Sequence, residues 1–154
     1  MEFVKQFGNR IFFGNMTRLE LMRSAGIKHA KIMVVAVDDT EESLEIVALV
    51  KKQNPRTRII ARATDRTHAR RLLACGVEHV IRDTFASSLE AATRTLEQLG
   101  YPEGRALEFT EMFRNHDETM LQNSVEHVDD VDKLHKLARE GRQELQELFE
   151  KDNR

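Results

Sequence analysis

Lys31-Ile32-Met33-Val34-Val35-Ala36-Val37 is the stretch that most narrows what this chain can fold into. Its apolar residues run on without alternating with polar ones. A strand of that kind is expected to be buried on both faces, as in a parallel sheet covered by helices on either side. Other β-rich runs are Arg10-Ile11-Phe12-Phe13, closed by Gly14-Asn15, then Thr57 to Ala63 and Val77 to Ile81. Segments of helical length separate them. Thr17 is expected to cap a helix through Ser24, with Leu19, Leu21 and Met22 free to pack and Gly26 ending it. Asp38-Asp39-Thr40-Glu41-Glu42 opens a helix through Lys52, its acidic residues matching the positive end of the helix dipole, and Asn54-Pro55 stops it. Asp65 is expected to cap a third helix that reaches Cys75 and ends at Gly76. Strand–helix alternation of this spacing implies right-handed crossovers. The predicted fold is therefore α/β, a partial Rossmann-like parallel sheet of about four strands followed by C-terminal helices.

A glycine-rich phosphate loop, G-x-G-x-x-G, occurs nowhere in the chain. Complete dinucleotide-type sheets have about six strands, so the two that would stand on the N-terminal side are expected to be missing. Glu2-Phe3-Val4-Lys5-Gln6-Phe7, stopped by Gly8, reads as the tail of a helix.

The pattern changes after Thr84. Phe85, Leu89, Ala92, Leu96 and Leu99 form one apolar stripe at helical spacing, broken by Gly100-Tyr101-Pro102. Ala106, Phe109, Phe113, His116 and Met120 form a second, and Gln122 to Asp130 reads as a hinge. Val131, Leu134, Ala138, Leu145 and Leu148 form a third on a highly charged helix ending at Asp152. Narrow stripes on charged helices suit packing on another helix or another subunit; folding back onto the sheet is the alternative. Residues 1–84 and 85–154 are thus expected to be a sheet domain and a helical, dimerising extension.

A chain of 154 residues accommodates one domain, or a small domain with an appendage. Its net charge of −2, with basic residues interleaved among acidic ones, argues against nucleic acid as a partner. The single cysteine, Cys75, lies in Leu72-Leu73-Ala74-Cys75-Gly76 and is expected to be a small core residue. It cannot form an internal disulfide, which fits a reducing compartment. No apolar run reaches membrane-spanning length and Met-Glu-Phe-Val-Lys does not resemble a signal peptide, so a cytoplasmic location is expected.

Several residues invite chemical readings. Asp38 and Asp39 follow a strand directly, and open α/β sheets bind ligands at the carboxyl ends of their strands. The pair suits magnesium binding or phosphoryl acceptance, as in response-regulator receivers; the plainer reading is that one or both cap the next helix. A receiver would also want a lysine after a later strand, where this chain has Arg62 or Arg82. Arg62, Asp65, Arg66, His68, Arg70 and Arg71 form a dense polar cluster after the third strand, suited either to an anion or to a solvated helix face. Of the six histidines, His68, His79, His116, His127 and His135 are scattered and His29 adjoins a lysine, so no metal site is expected. His116, on an apolar stripe, is expected at an interface or in the core. Ser87-Ser88 has no evident base and G-x-S-x-G is absent, so no catalytic residue is assigned.

Taken in order, several segments resemble one family. Phe7-Gly8-Asn9-Arg10-Ile11-Phe12-Phe13-Gly14-Asn15-Met16-Thr17-Arg18 resembles the F-G-x-x-V-x-x-G-D-A-T/S-R segment of KTN (RCK, TrkA-N) domains, cytosolic nucleotide-sensing domains of potassium channels and transporters. Ser24-Ala25-Gly26, Ala36-Val37-Asp38-Asp39 and Ile60-Ala61-Arg62-Ala63-Thr64-Asp65-Arg66-Thr67-His68-Ala69 resemble the segments that follow. Arg82-Asp83-Thr84-Phe85, Met112-Phe113-Arg114-Asn115-His116-Asp117 and Arg142 to Phe149 are similar to the Kef glutathione-gated potassium efflux subfamily.

The resemblance implies a non-enzymatic regulator at the cytosolic face of an inner-membrane potassium/proton antiporter, working as a homodimer. The partners it implies are the membrane portion of that antiporter and an ancillary oxidoreductase subunit. AMP or NAD(H) is the family's nucleotide, with contacts carried over onto Asn15, Met16, Thr17, Asp38 and Arg62. Glutathione is the regulatory ligand, holding the system closed while its adducts open it. Phe7 matches the aromatic that a bulky adduct displaces, Arg82 the arginine that grips the tripeptide, and Asp117 a position occupied by Asn or Asp. Three departures stand out: the glycine loop, its helix and the second strand with its ribose-binding acid are not found, Gly14-Asn15-Met16 replaces G-D-A, losing a carboxylate and adding bulk, and Thr64 replaces an arginine. The readings that compete with this are a small α/β enzyme or phosphoacceptor using Asp38 and Asp39, and a stand-alone dimeric interaction protein that binds no ligand.

Overall fold

The structure, a computed structural model, describes residues 14–152. Helix α1 (Leu19–Ser24) and a 3-10 turn at Ile27–His29 lead into β1 (Ile32–Val35). Then come α2 (Thr40–Gln53), β2 (Arg58–Ala63), α3 (Arg66–Ala74) and β3 (His79–Arg82). Helices α4 (Phe85–Gln98) and α5 (Glu103–Asn123), a 3-10 turn at Val125–His127 and α6 (Val131–Asp152) complete the chain. The strands form one parallel sheet in the order β1-β2-β3, with Val34 opposite Ile60 and Ile60 opposite His79. The fold is thus α/β and Rossmann-like, with helices following at its C-terminal side. Of the four strands expected, three make the described sheet; Arg10–Phe13, like the expected helix tail at Glu2–Phe7, lies outside the described residues.

Alternation within the strands decides where the core sits. Val35, Ile59, Ala61 and Ala63 are buried and join Ile46, Val47 and Val50 of α2 with Ala69 and Leu72 of α3 in one apolar cluster. The opposite face differs from expectation: Ile32, Val34 and Ile81 are 51%, 61% and 60% exposed. A continuous apolar run therefore marks a strand here that is buried on one face only. The reason is positional: α2 and α3 both contribute to the cluster on the other face.

Local chemistry sets most of the ends. Asp39 caps α2 by accepting from the Glu42 N–H at 2.7 Å, and Asp65 caps α3 by accepting from the His68 N–H at 2.8 Å. Beyond α2, the Asn54 side-chain amide faces the carbonyls of Ile27, Lys28 and Ala30 at 3.1 to 3.2 Å, tying the helix end to the turn before β1. Two end assignments shift. Thr17 does not cap α1: Arg18 holds that position, while the Thr17 N–H and hydroxyl both donate to Asn15 Oδ1 at 2.8 Å. Cys75 is exposed rather than buried, because it follows the last turn of α3 and the chain swings away at Gly76, whose φ is +75°.

The helical part packs in succession. Thr93 of α4 and Thr110 of α5 share a buried hydrogen bond of 3.0 Å. Leu121 of α5 enters the sheet cluster, so α5 folds back on the sheet domain. The predicted hinge begins later than expected, since α5 runs to Asn123 before the 3-10 turn. Where α6 meets α5, His116 Nε2–H donates to the Gly141 carbonyl at 2.8 Å. His116 is thus a half-buried contact between two helices of one chain. The α6 stripe is largely uncovered, with Val131 and Leu148 exposed.

Candidate functional site

The strands' carboxyl ends gather the charged residues. Parallel strands all point the same way, so β1, β2 and β3 deliver Asp38, Arg62 and the pair Arg82-Asp83 to one edge of the sheet. Open α/β sheets use that edge for ligands.

Two ionic clusters stand there. In the first, Arg62 pairs with Asp38 and reaches Asp83 Oδ1 at 3.0 Å from its Nε. Asp38 is thus drawn to an arginine that also holds Asp83, while Asp39 serves as the cap of α2. In the second cluster Asp117 of α5 bridges Arg66, at the start of α3, and Arg82, at the end of β3. Oδ1 accepts from Arg66 Nη1, Oδ2 lies 2.6 Å from Arg82 Nη1, and Arg66 Nη2 also donates to the Asp117 backbone carbonyl at 3.3 Å. The Arg82 guanidinium stacks on the Phe85 ring, 3.5 Å from its centroid. Arg82 and Phe85 both line a cleft of about 880 Å³ between β3 and α5, with Arg114 and Glu118 on its far wall. Phe85 also borders an apolar cavity of about 450 Å³ lined by Leu89, Phe109, Phe113 and Phe149.

Neighbouring groups on α2 and α3 fix the frame. Arg71 forks onto Glu41, with Nη2 to Oε2 at 3.0 Å, and that hydrogen bond holds the Glu41 carboxyl below its ordinary range. His68 is buried at the foot of α3, its Nδ1 3.3 Å from the Thr64 N–H. Burial pushes its pKa below the ordinary value, against the opposing pull of Asp65. Arg70 is half-buried, and its charge is disfavoured first by burial and then by Arg66.

Of the residues singled out in the sequence, Arg82 and Asp117 are brought into contact, as are Asp38 and Arg62. Asn15 and Thr17 bond to each other in a turn, and Met16 packs against the core. Phe7 lies outside the described residues. In the sequence Arg66 is one of a polar cluster, with nothing to distinguish it as a partner of Asp117. The contact joins positions 51 apart, and no local pattern signals it. Among the described residues no group of three or more His, Cys, Asp or Glu is placed to hold a metal ion. No described helix is long and apolar enough to cross a membrane.

Comparison with known proteins agrees with this architecture. Residues 1–83 match the TrkA-N domain and residues 87–154 the potassium efflux system KefB C-terminal domain. The glutathione-regulated potassium-efflux system protein KefC of Cronobacter sakazakii is 35% identical over 130 residues, covering 84% of this chain and 21% of the relative. KefC of Salmonella arizonae matches to the same extent, 35% over 130 residues and the same shares of each chain. The chain therefore spans about a fifth of the length of the curated relatives it matches, 21%. Among solved structures, the Kef CTD of Shewanella denitrificans in AMP-bound form superposes with a TM-score of 0.73 at 36% identity, covering 76% of this chain and 74% of that one. The TrkA-N domain of the Escherichia coli inner membrane protein ybaL gives 0.54 at 26% identity, covering 65% and 70%. Sequence and fold agree: this chain belongs to the TrkA-N family, in the branch formed by the C-terminal domains of Kef potassium efflux systems.

Proposed function

We propose that this chain is a cytosolic regulatory module of a glutathione-gated potassium/proton antiporter, carrying out no chemistry of its own. Residues 1–84 serve as the ligand-sensing domain and 85–154 as a regulatory and dimerising extension. Glutathione or its adducts bind at Phe7, Arg82 and Asp117, and AMP or NAD(H) at Asn15, Met16, Thr17, Asp38 and Arg62. The partners are a second copy of the chain, the membrane portion of the antiporter and an ancillary oxidoreductase subunit, all at the cytosolic face of the membrane.

One observation carries this reading. Arg82, linked through Asp117 to Arg66, lines a ligand-sized cleft that runs along β3 and is closed by α5 of the C-terminal extension. Planar guanidiniums suit the carboxylates of a small acidic peptide. A ligand that contacts both the sheet edge and α5 acts differently on two arrangements of those elements, which is what a regulator requires.

A thermal-denaturation titration of the chain with glutathione tests it. A ligand specific for the folded state raises the midpoint with concentration. The expected outcome is a saturable rise that Arg82→Ala abolishes; no rise, or an equal rise in the variant, would refute the assignment. The uncovered apolar positions Val131 and Leu148 on α6 support a second reading, a dimeric interaction protein without ligand, and a dimer indifferent to glutathione would favour it.

A further inference from the structure

We propose that the recess between α3, α5 and α6 is a binding site for a small carboxylic acid with an apolar body, its carboxylate held by Arg70 and its body laid against α6. The recess is about 280 Å³, bounded by Arg66 and Arg70 on α3, Met120 on α5, and Leu134 and Ala138 on α6. It shares no lining residue with the cleft beside Arg82. One wall is cationic and the other apolar, and no carboxylate lines it.

The two arginines stand one turn apart on α3 but differ in their partners. Arg66 has its charge met by Asp117. Arg70 has no such counter-charge: its Nη2 donates to the Thr67 hydroxyl at 3.3 Å and its Nε is buried without a hydrogen-bond partner. No ion pair among the described residues includes it. A guanidinium keeps its proton, so it cannot relieve burial by turning neutral. Burial and then Arg66 disfavour the Arg70 charge, against the weaker pull of Asp65. An anion in the recess supplies what is missing, and a planar guanidinium suits a carboxylate. The other polar side chains there contribute less. The Ser124 hydroxyl is spent on the Leu121 carbonyl at 2.6 Å, and His135 is exposed at the α6 side.

The apolar wall selects the rest of the ligand. An apolar cavity of about 150 Å³ takes one benzene ring, so this recess has room for a ring or short chain that carries a carboxylate. A bare inorganic anion makes no use of Met120, Leu134 and Ala138. Because Arg70 belongs to the sheet half and Leu134 and Ala138 to the last helix, a ligand touching both favours the docked position of α6.

This site stands independently of the function proposed above. Three probes separate its two halves: sodium benzoate, benzamide with the same ring but no charge, and sodium sulfate with charge but no ring. Each is titrated into the whole chain and into Arg70→Gln at matched ionic strength, followed by amide chemical shifts and thermal denaturation. The expected result with benzoate is saturable shifts at Arg70, Leu134 and Ala138 and a rise in the melting midpoint. Binding is expected to be about tenfold weaker or more for benzamide, for sulfate and for benzoate with Arg70→Gln. Sulfate binding as tight as benzoate overturns the assignment to an apolar acid. No saturable shift with benzoate, shifts confined to Arg82 and Phe85, or equal benzoate binding by the variant overturns the site. Should Arg70→Gln fail to fold, benzoate against benzamide on the wild-type chain decides, and equal binding of the two overturns the role of the Arg70 charge.

Discussion

His68 is the residue whose protonation most directly touches stability. It is buried behind the cap of α3, its Nε2 has no hydrogen-bond partner, and burial lowers its folded pKa. The unfolded chain therefore takes up a proton at a pH where the folded chain refuses it, so the sign is fixed: stability rises with pH wherever the unfolded state binds more protons. The contribution is complete above the ordinary histidine value of 6.5 and is lost as pH falls below it, toward the lowered folded value. Urea unfolding between pH 8 and pH 5.5 should show the midpoint falling below about 6.5, and His68→Gln should remove that part of the slope. An identical slope in the variant would contradict the assignment.

At the scale of elements, α6 crosses α5 closely at a glycine. A Cβ on Gly141 would stand 2.5 Å from Met120 Cε and 2.9 Å from its sulfur, while the Gly141 carbonyl accepts from His116. Gly141→Leu should push the helices apart at a cost of about 1–3 kcal/mol, the usual range for overpacking. Hydrogen exchange should then quicken in α6 and stay unchanged in α2 and α3; unaltered α6 protection would show that the crossing is looser than described. What was legible from sequence divides along the same line of range. Asp65 as a cap, Asn54 as a stop and the apolar strand of β1 depend on neighbours within a few residues, so periodicity and turn chemistry reveal them. The exposed face of Ile32, Val34 and Ile81 is a different matter, because residue type says a side chain is apolar but not whether a helix covers it. Cys75 went the same way: an apolar stretch suggests burial, and only the turn at Gly76 decides the direction it takes.

For the whole molecule, the question is how the sheet half speaks to the helical half. Leu121 and Asp117 are two of the links, both on α5, one apolar within the main cluster and one ionic at the sheet edge. Leu121→Ala should lower stability by about 2–5 kcal/mol, as for other buried leucines, and should make unfolding of the two halves less coincident by different probes. A change below that range would mean the halves couple elsewhere. Arg82 and Asp117 were legible as members of one site only through family resemblance, since one ends a strand and the other lies mid-helix. Their partner Arg66 emerged from the fold alone, because its contact with Asp117 spans 51 positions. The central claim is that this edge, centred on Arg82, senses an acidic peptide. Amide chemical-shift mapping of the labelled chain titrated with glutathione tests it most directly. The account predicts saturable shifts clustered at Arg66, Arg82, Phe85 and Asp117. No shifts, or shifts confined to Asp38 and Arg62, would contradict it.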